Sequence, residues 1–229
     1  MTATDRTRNN TGFLLYGSAL CAALIGAGLC VYLAWVHLSV KAGDSVGGLC
    51  NLNAKINCNI AAGSDYSEVG GVPIALVGLG FYLATVAALI VGRRRDIVLC
   101  GRLLVSLYAA ACVYSVFLAG ISAFVLGSLC WACTGTYLVN IALLLFARAL
   151  SGATYFSGFR SLFTQRNEVA RSPIPFAFVV TFVLGIAASH LASGALAAAL
   201  TPSPEALRGE AAEWVQTQYL GQAQIDPAL

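Results

Sequence analysis

The chain has 229 residues, of which 59% are hydrophobic and only 10% are Asp, Glu, Lys or Arg, with a net charge of +3. A soluble domain carries about a quarter charged residues. So few charges cannot cover a protein of this size with hydrated groups, which excludes a water-soluble globule and turns most of the surface toward lipid.

Charged residues punctuate the sequence and leave four uncharged intervals, Asn9 to Val40, Val69 to Gly92, Leu103 to Ala147 and Ser172 to Pro204. A spanning helix needs about 20 apolar residues. The first, second and fourth intervals therefore hold one span each. The third is long enough for two, and Gly120 and Gly127-Ser128 interrupt it, so it is expected to fold back through a turn near Phe124 to Leu129. The prediction is an all-α integral membrane protein with five transmembrane helices. Arg6 and Arg8 before the first span resemble the start of a signal peptide, but the apolar stretch behind them is too long, so it is expected to remain as an anchor.

Orientation follows from the basic residues. Arg6, Arg8, Arg93, Arg94, Arg95, Arg102, Arg148, Arg160, Arg166 and Arg171 collect on one side, and Lys41, Lys55 and Arg208 on the other, ten against three. The positive-inside rule then makes residues 1–11 a cytoplasmic segment and turns the loop 41–68, the turn near Phe124 to Leu129 and the tail outward. The membrane domain is expected over residues 12–200, and the tail 201–229 as an amphipathic helix or a truncated linker. The Arg93 to Arg95 run reads as a topology signal, and no nucleic-acid partner is expected.

Eight cysteines are present. Cys21, Cys30, Cys100 and Cys112 lie inside spans, where a thiol acts as a small hydrophobe. Cys50 and Cys58 lie in the outward loop, and Cys130-Trp131-Ala132-Cys133 forms a C-x-x-C at the outer start of the fourth span. Four outward cysteines allow three pairings, and the sequence does not choose among them. A helix N-terminus offers free N–H groups and a positive dipole end, which favour a thiolate and suit the C-x-x-C to disulfide exchange. The loop pair, beside several glycines, is a plausible shuttle between an external thiol and that C-x-x-C.

Electrons delivered there need an acceptor, and no haem, flavin or iron–sulfur pattern is visible. A lipid-soluble quinone is the natural sink. Tyr137 and Asn140 share a helix face with Cys133, one and two turns deeper. Asn140 inside a span must bond another helix or a ligand. His37, near the outer end of the first span, and His190 read as interfacial residues or as proton relays. Asp65 and Glu68 read as solvated loop charges or proton carriers, and Trp131 as an interfacial anchor.

Together these residues resemble the vitamin K epoxide reductase family in its bacterial branch. The resemblance rests on Cys50 and Cys58 followed by Ser64-Asp65-Tyr66, on Gly71-Val72-Pro73 through Gly78 with Tyr82, and on Cys130-Trp131-Ala132-Cys133-Thr134-Gly135-Thr136-Tyr137-Leu138-Val139-Asn140, similar to C-x-x-C-x-x-T-Y-x-x-N. It covers roughly Gly12 to Leu150. It implies a four-helix bundle around a quinone, ubiquinone or menaquinone, with the extra helix outside. It also implies a thiol oxidase of the bacterial inner membrane that reoxidises a thioredoxin-like periplasmic partner and so drives disulfide formation in exported proteins. By motif position, Cys50 would exchange with that partner, Cys58 with Cys130, and Cys133 would pass electrons to the quinone. Tyr137 would bond a quinone carbonyl, with Ser64 capping the pocket and Asn140 beside it. Many bacterial relatives carry a fused thioredoxin-like domain, whereas this chain stops at Leu229. The thiol donor is thus expected to act in trans, or the chain is a piece of a longer fusion.

Three other readings compete. A DsbB-type oxidase also has two outward pairs, but with the C-x-x-C in the first outward loop, the reverse of this order. Four outward cysteines could bind or transport a metal, yet the other pair is C-x7-C and no His lies close in sequence, so no metal is expected. A loop merely stapled by Cys50 and Cys58 leaves Cys130 and Cys133 without a reason.

Overall fold

The computed structural model describes residues 3–43, 46, 50–53, 55–152 and 171–200. The helices are α1 (Ala3–Lys41), a short α2 (Cys58–Gly63), α3 (Ile74–Arg95), α4 (Ile97–Gly120), α5 (Trp131–Ser151) and α6 (Pro173–Leu200). Five of them are long and apolar enough to cross a membrane, over Gly12–Lys41, Ile74–Arg95, Ile97–Val125, Trp131–Ser151 and Pro173–Ala192. The five charge-bounded spans are therefore present, and the third interval does fold back on itself. Helix α1 extends through most of the segment 1–11, starting at Ala3. The tail 201–229 lies outside the described residues. By contacts the chain divides into one unit to Leu191 and a second from Ala192, whose described part is the last turns of α6.

Contacts run from α1 to α3, α3 to α4, α4 to α5 and α5 back to α1, which closes a four-helix ring. Small residues allow the close approach, as expected where lipid supplies no driving force for association. Helix α1 presents Ala19, Ala23, Ala27, Cys30 and Ala34 inward at helical spacing, all buried. A Cβ at Gly92 would sit 2.5 Å from Cys100, and one at Gly101 would sit 2.9 Å from Ser151, so these glycines set the α3–α4 and α4–α5 crossings. Helix α6 lies outside the ring against α3. Gly185 approaches Gly80 so closely that a Cβ on it would stand 3.1 Å from the Gly80 Cα, and Phe178 meets Phe81 edge-on at 5.7 Å.

Sharp caps separate the helices. Asp96 alone joins α3 to α4, its carboxylate accepting from the Val98 and Leu99 N–H groups at 2.9 Å. At the opposite end α4 widens into a π turn over Ile121–Val125, and Gly127 at φ 61° reverses the chain toward α5.

Candidate redox site

The segment between α1 and α3 is built from short pieces. Strands β1 (Asn51–Asn53) and β2 (Ile56–Asn57) pair antiparallel, α2 follows, then one 3₁₀ turn (Asp65–Ser67) and the hairpin β3 (Glu68–Val69) with β4 (Val72–Pro73). Asn57 caps α2, its side chain accepting from the Asn59 N–H at 2.9 Å and the Ile60 N–H at 3.3 Å. The asparagines that mark this stretch as non-spanning are thus its internal scaffold. Asn51 accepts from the Cys58 N–H at 2.9 Å and donates to the Val46 carbonyl. Cys50 and Cys58 form a disulfide.

The C-x-x-C sits where the sequence places it. Cys130 is the N-cap of α5, and its Sγ accepts from the Cys133 N–H at 3.2 Å; Cys130 and Cys133 form the second disulfide. The two pairs are fastened together by backbone. The Asn57 N–H donates to the Leu129 carbonyl at 3.1 Å, and the Leu129 N–H to the Lys55 carbonyl at 2.7 Å, a short parallel bridge one residue before Cys130. As a result Cys58 Sγ lies 3.4 Å from Cys130 Sγ. Cys50, Cys58 and Cys130 are all at most 3% exposed, and their sulfurs lie within 4.8 Å of one another. Such a triad has the compactness of a metal site, but coordination needs thiolates, and here each sulfur is spent on a disulfide.

Behind the sulfurs lies a cavity of about 480 Å³ walled largely by apolar groups from α1, α2, α3, α4 and α5. Cys58, Cys130 and Cys133 open onto it, as do Ser64, Tyr137 and Asn140, so every site residue inferred from the sequence except Cys50 meets at one cavity. Their polar atoms are used differently. The Tyr137 hydroxyl has no hydrogen-bond partner among the described residues. Asn140 is already committed, accepting from Tyr82 Oη at 2.7 Å and donating to Ser115 Oγ at 3.0 Å, so it ties α5 to α3 and α4. Ser64 Oγ donates to the Ala61 carbonyl at 2.8 Å and closes the end of α2.

Sequence reasoning missed His37 as a component of the site. An interfacial residue is expected from its place near a span end, yet it is 4% exposed and lines the cavity. Nδ1 lies 3.0 Å from the Ala62 carbonyl and Nε2 3.0 Å from Glu68 Oε1. Glu68 is correspondingly more than a solvated charge. Lys41 reaches the same oxygen at 3.2 Å, and its hydrogen bond is the main cause that holds the Glu68 carboxyl below its ordinary value; burial opposes it next in size, and the charges of Lys41 and His37 and the His37 hydrogen bond add to the lowering. Only polarity inside an apolar stretch could have flagged His37, and it gives no hint of a partner in the loop. Tyr114 and Ser115 on α4 also line the cavity and carried no sequence signal. Of the four cysteines within spans, Cys100 is buried and donates to the Ala88 carbonyl, Cys30 is buried and borders the cavity, and Cys21 is exposed on the outer face.

Two adjoining disulfides at one end of a membrane bundle, above an apolar cavity, define a membrane disulfide oxidoreductase. The family model described as Vitamin K epoxide reductase family matches residues 18–148, which takes in the ring helices and both cysteine pairs, and the chain belongs to that family. No curated protein matches it.

Proposed function

We propose that the protein is a quinone-dependent thiol oxidase of the bacterial plasma membrane. It takes reducing equivalents from a thioredoxin-like protein at Cys50 and Cys58 and passes them through Cys130 and Cys133 to a membrane quinone. The cysteine end of the bundle faces the periplasm in this reading, by the positive-inside bias. The observation that carries it is the 3.4 Å separation of Cys58 Sγ and Cys130 Sγ at the mouth of the cavity.

The exchange balances without a further reagent. A partner dithiol reduces Cys50–Cys58 and leaves as a disulfide. The Cys58 thiolate then attacks Cys130 of the Cys130–Cys133 bridge, forming Cys58–Cys130 and releasing the Cys133 thiolate. Cys50 closes on Cys58, which restores the loop disulfide and leaves Cys130 and Cys133 as a dithiol. Reclosure of that dithiol yields two electrons and two protons. The N-terminus of α5 and the Cys133 N–H bonded to the Cys130 sulfur favour the thiolate through this sequence.

The residues at the cavity fit a quinone. Its volume falls in the range of small-molecule sites, roughly 300–1,000 Å³. Leu33, Ile74, Phe81 and Leu107 supply apolar wall, and the Tyr137 hydroxyl, without a partner among the described residues, supplies a donor for a carbonyl oxygen. A bound quinone would accept the two electrons and two protons. Tyr137 would orient it, while Asn140 acts by holding Tyr82 and the helix faces around it, and Ser64 by closing the cap.

Cys133→Ala tests the scheme. The remaining Cys130 thiolate attacks the adjoining Cys58, so peptide mapping should find a Cys58–Cys130 bridge, a free Cys50 and no reduction of a short-chain quinone. Continued quinone reduction by that variant would refute the assigned order.

A further inference from the structure

The geometry points to His37 as a positioning residue that latches the Cys58-bearing cap, residues 58–69, onto α1. The inference rests on the thiol-to-quinone relay proposed above, since it is the cap that presents Cys58 to Cys130.

His37 reaches the cap at two places. Its Nδ1 meets the carbonyl of Ala62, in the same short helix as Cys58, and its Nε2 meets Glu68, beyond the 3₁₀ turn. The Ala62 carbonyl lies near the C-terminal end of α2, where helical carbonyls lack a partner inside the helix, so an outside donor there fixes the end of the element. Ser67 Oγ is the other donor to it, at 2.9 Å. Both atoms facing the imidazole are acceptors, and a ring with hydrogen on both nitrogens satisfies both. Lys41, one turn beyond His37 on α1, adds its ammonium to Glu68. Among the described residues these three contacts are the side-chain hydrogen bonds and ion pairs that join α1 to the cap. The two His37 contacts are buried or half-buried, the Lys41 ammonium lies at the exposed edge, and His37 and Cys58 border the same cavity. The latch therefore sets two distances at once, the Cys58–Cys130 approach and the closure of the cavity beneath the cap.

The test separates the two attachments. In His37→Asn the amide nitrogen replaces Nδ1 and keeps the Ala62 bond; in His37→Gln it replaces Nε2 and keeps the Glu68 bond; His37→Ala removes both. Backbone hydrogen exchange over residues 58–69 in the full chain should quicken about tenfold or more in His37→Ala and by less in the Asn and Gln variants, as expected when local closure loses one or two hydrogen bonds. In the Cys133→Ala background the yield of the Cys58–Cys130 bridge should fall in the same order. For turnover, the KM for a short-chain quinone should rise with a smaller change in kcat, and His37→Asn should restore part of it. Glu68→Ala, at a side chain 30% exposed, should move every readout in the same direction if His37→Ala does not fold. Unchanged exchange in both His37→Ala and Glu68→Ala would overturn the latch whatever the catalytic data. Faster exchange in His37→Ala, together with no Cys58–Cys130 bridge in Cys133→Ala with His37 intact, would leave the latch standing and sink the relay.

Discussion

Helix α1 gives way to the Tyr82 ring at Gly26, and replacing that glycine by alanine should damage both stability and the cavity wall. A Cβ there would lie 2.5, 2.6 and 2.7 Å from three atoms of the Tyr82 ring. Carbon atoms rest about 3.5–4.0 Å apart, so the ring or the helix must yield by about 1 Å. The ring has little room. Tyr82 is 2% exposed, packs edge-on against Phe81, and its hydroxyl is bonded to Asn140 at 2.7 Å and the Thr136 carbonyl at 3.3 Å. Overpacking of this kind costs about 1–3 kcal/mol, and stretching a buried hydrogen bond adds about 0.5–1.5 kcal/mol, so Gly26→Ala should destabilise by about 2–4 kcal/mol. Denaturation in detergent reads the loss, and the quinone KM reads the displaced wall. A double-mutant cycle isolates the cause, because Tyr82→Ala opens the space the new methyl group needs. Equal cost of Gly26→Ala in the wild-type and Tyr82→Ala backgrounds would refute the steric account.

Tyr137→Phe should leave stability within about 0.5 kcal/mol, since the hydroxyl has no partner among the described residues, while raising the quinone KM about five- to tenfold; a matching loss of stability would show that the hydroxyl is structural. Cys50→Ala should abolish oxidation of a thioredoxin-like protein yet spare part of the oxidation of a small dithiol through Cys58, and equal loss with both donors would argue against the shuttle. Glu68 is held below its ordinary pKa, so its ionised form contributes stability that is complete above the unfolded value, about 4.3, and is lost as pH falls through the lower folded value. Proteolytic protection of the cap should therefore weaken under acid and lose that dependence in Glu68→Gln.

The membrane architecture was legible because the bilayer imposes a length. Charged residues bound each span, and the five helices centre on the intervals they mark, four of them running one to six residues past a boundary, as at residues 97–102 and 148–151. The C-x-x-C was legible for a similar reason, since its place at the start of an apolar stretch fixes it at a helix N-terminus. Tyr137 and Asn140 follow on the same face by the helical repeat. Partners distant in sequence were not legible. Asn140 was expected to bond a helix or a ligand, but its choice of Tyr82, 58 positions away, depends on the crossing of α3 and α5. His37 meets residues 25 and 31 positions away in a cap held by side-chain-to-backbone bonds, which leave no periodic trace. The sequence left the pairing of the outward cysteines open among three arrangements, because the approach of Cys58 to Cys130 depends on a bridge between β2 and Leu129, 73 positions apart, and the structure closes Cys50 on Cys58 and Cys130 on Cys133.

The two ends of the loop disulfide are held unequally. On the Cys58 side the chain is bolted to the backbone at Leu129 and bonded to α1 through Ala62 and His37, whereas among the described residues the hydrogen bonds near Cys50 are the backbone bond from Cys58 and those of its neighbour Asn51. A swing of this segment would pivot about Cys58, whose strand is bonded to Leu129, like a gate on its hinge post. Cys50 is only 3% exposed, so in the relay proposed above a partner dithiol would have to swing that gate before it reached the sulfur, while Cys58 stays beside Cys130.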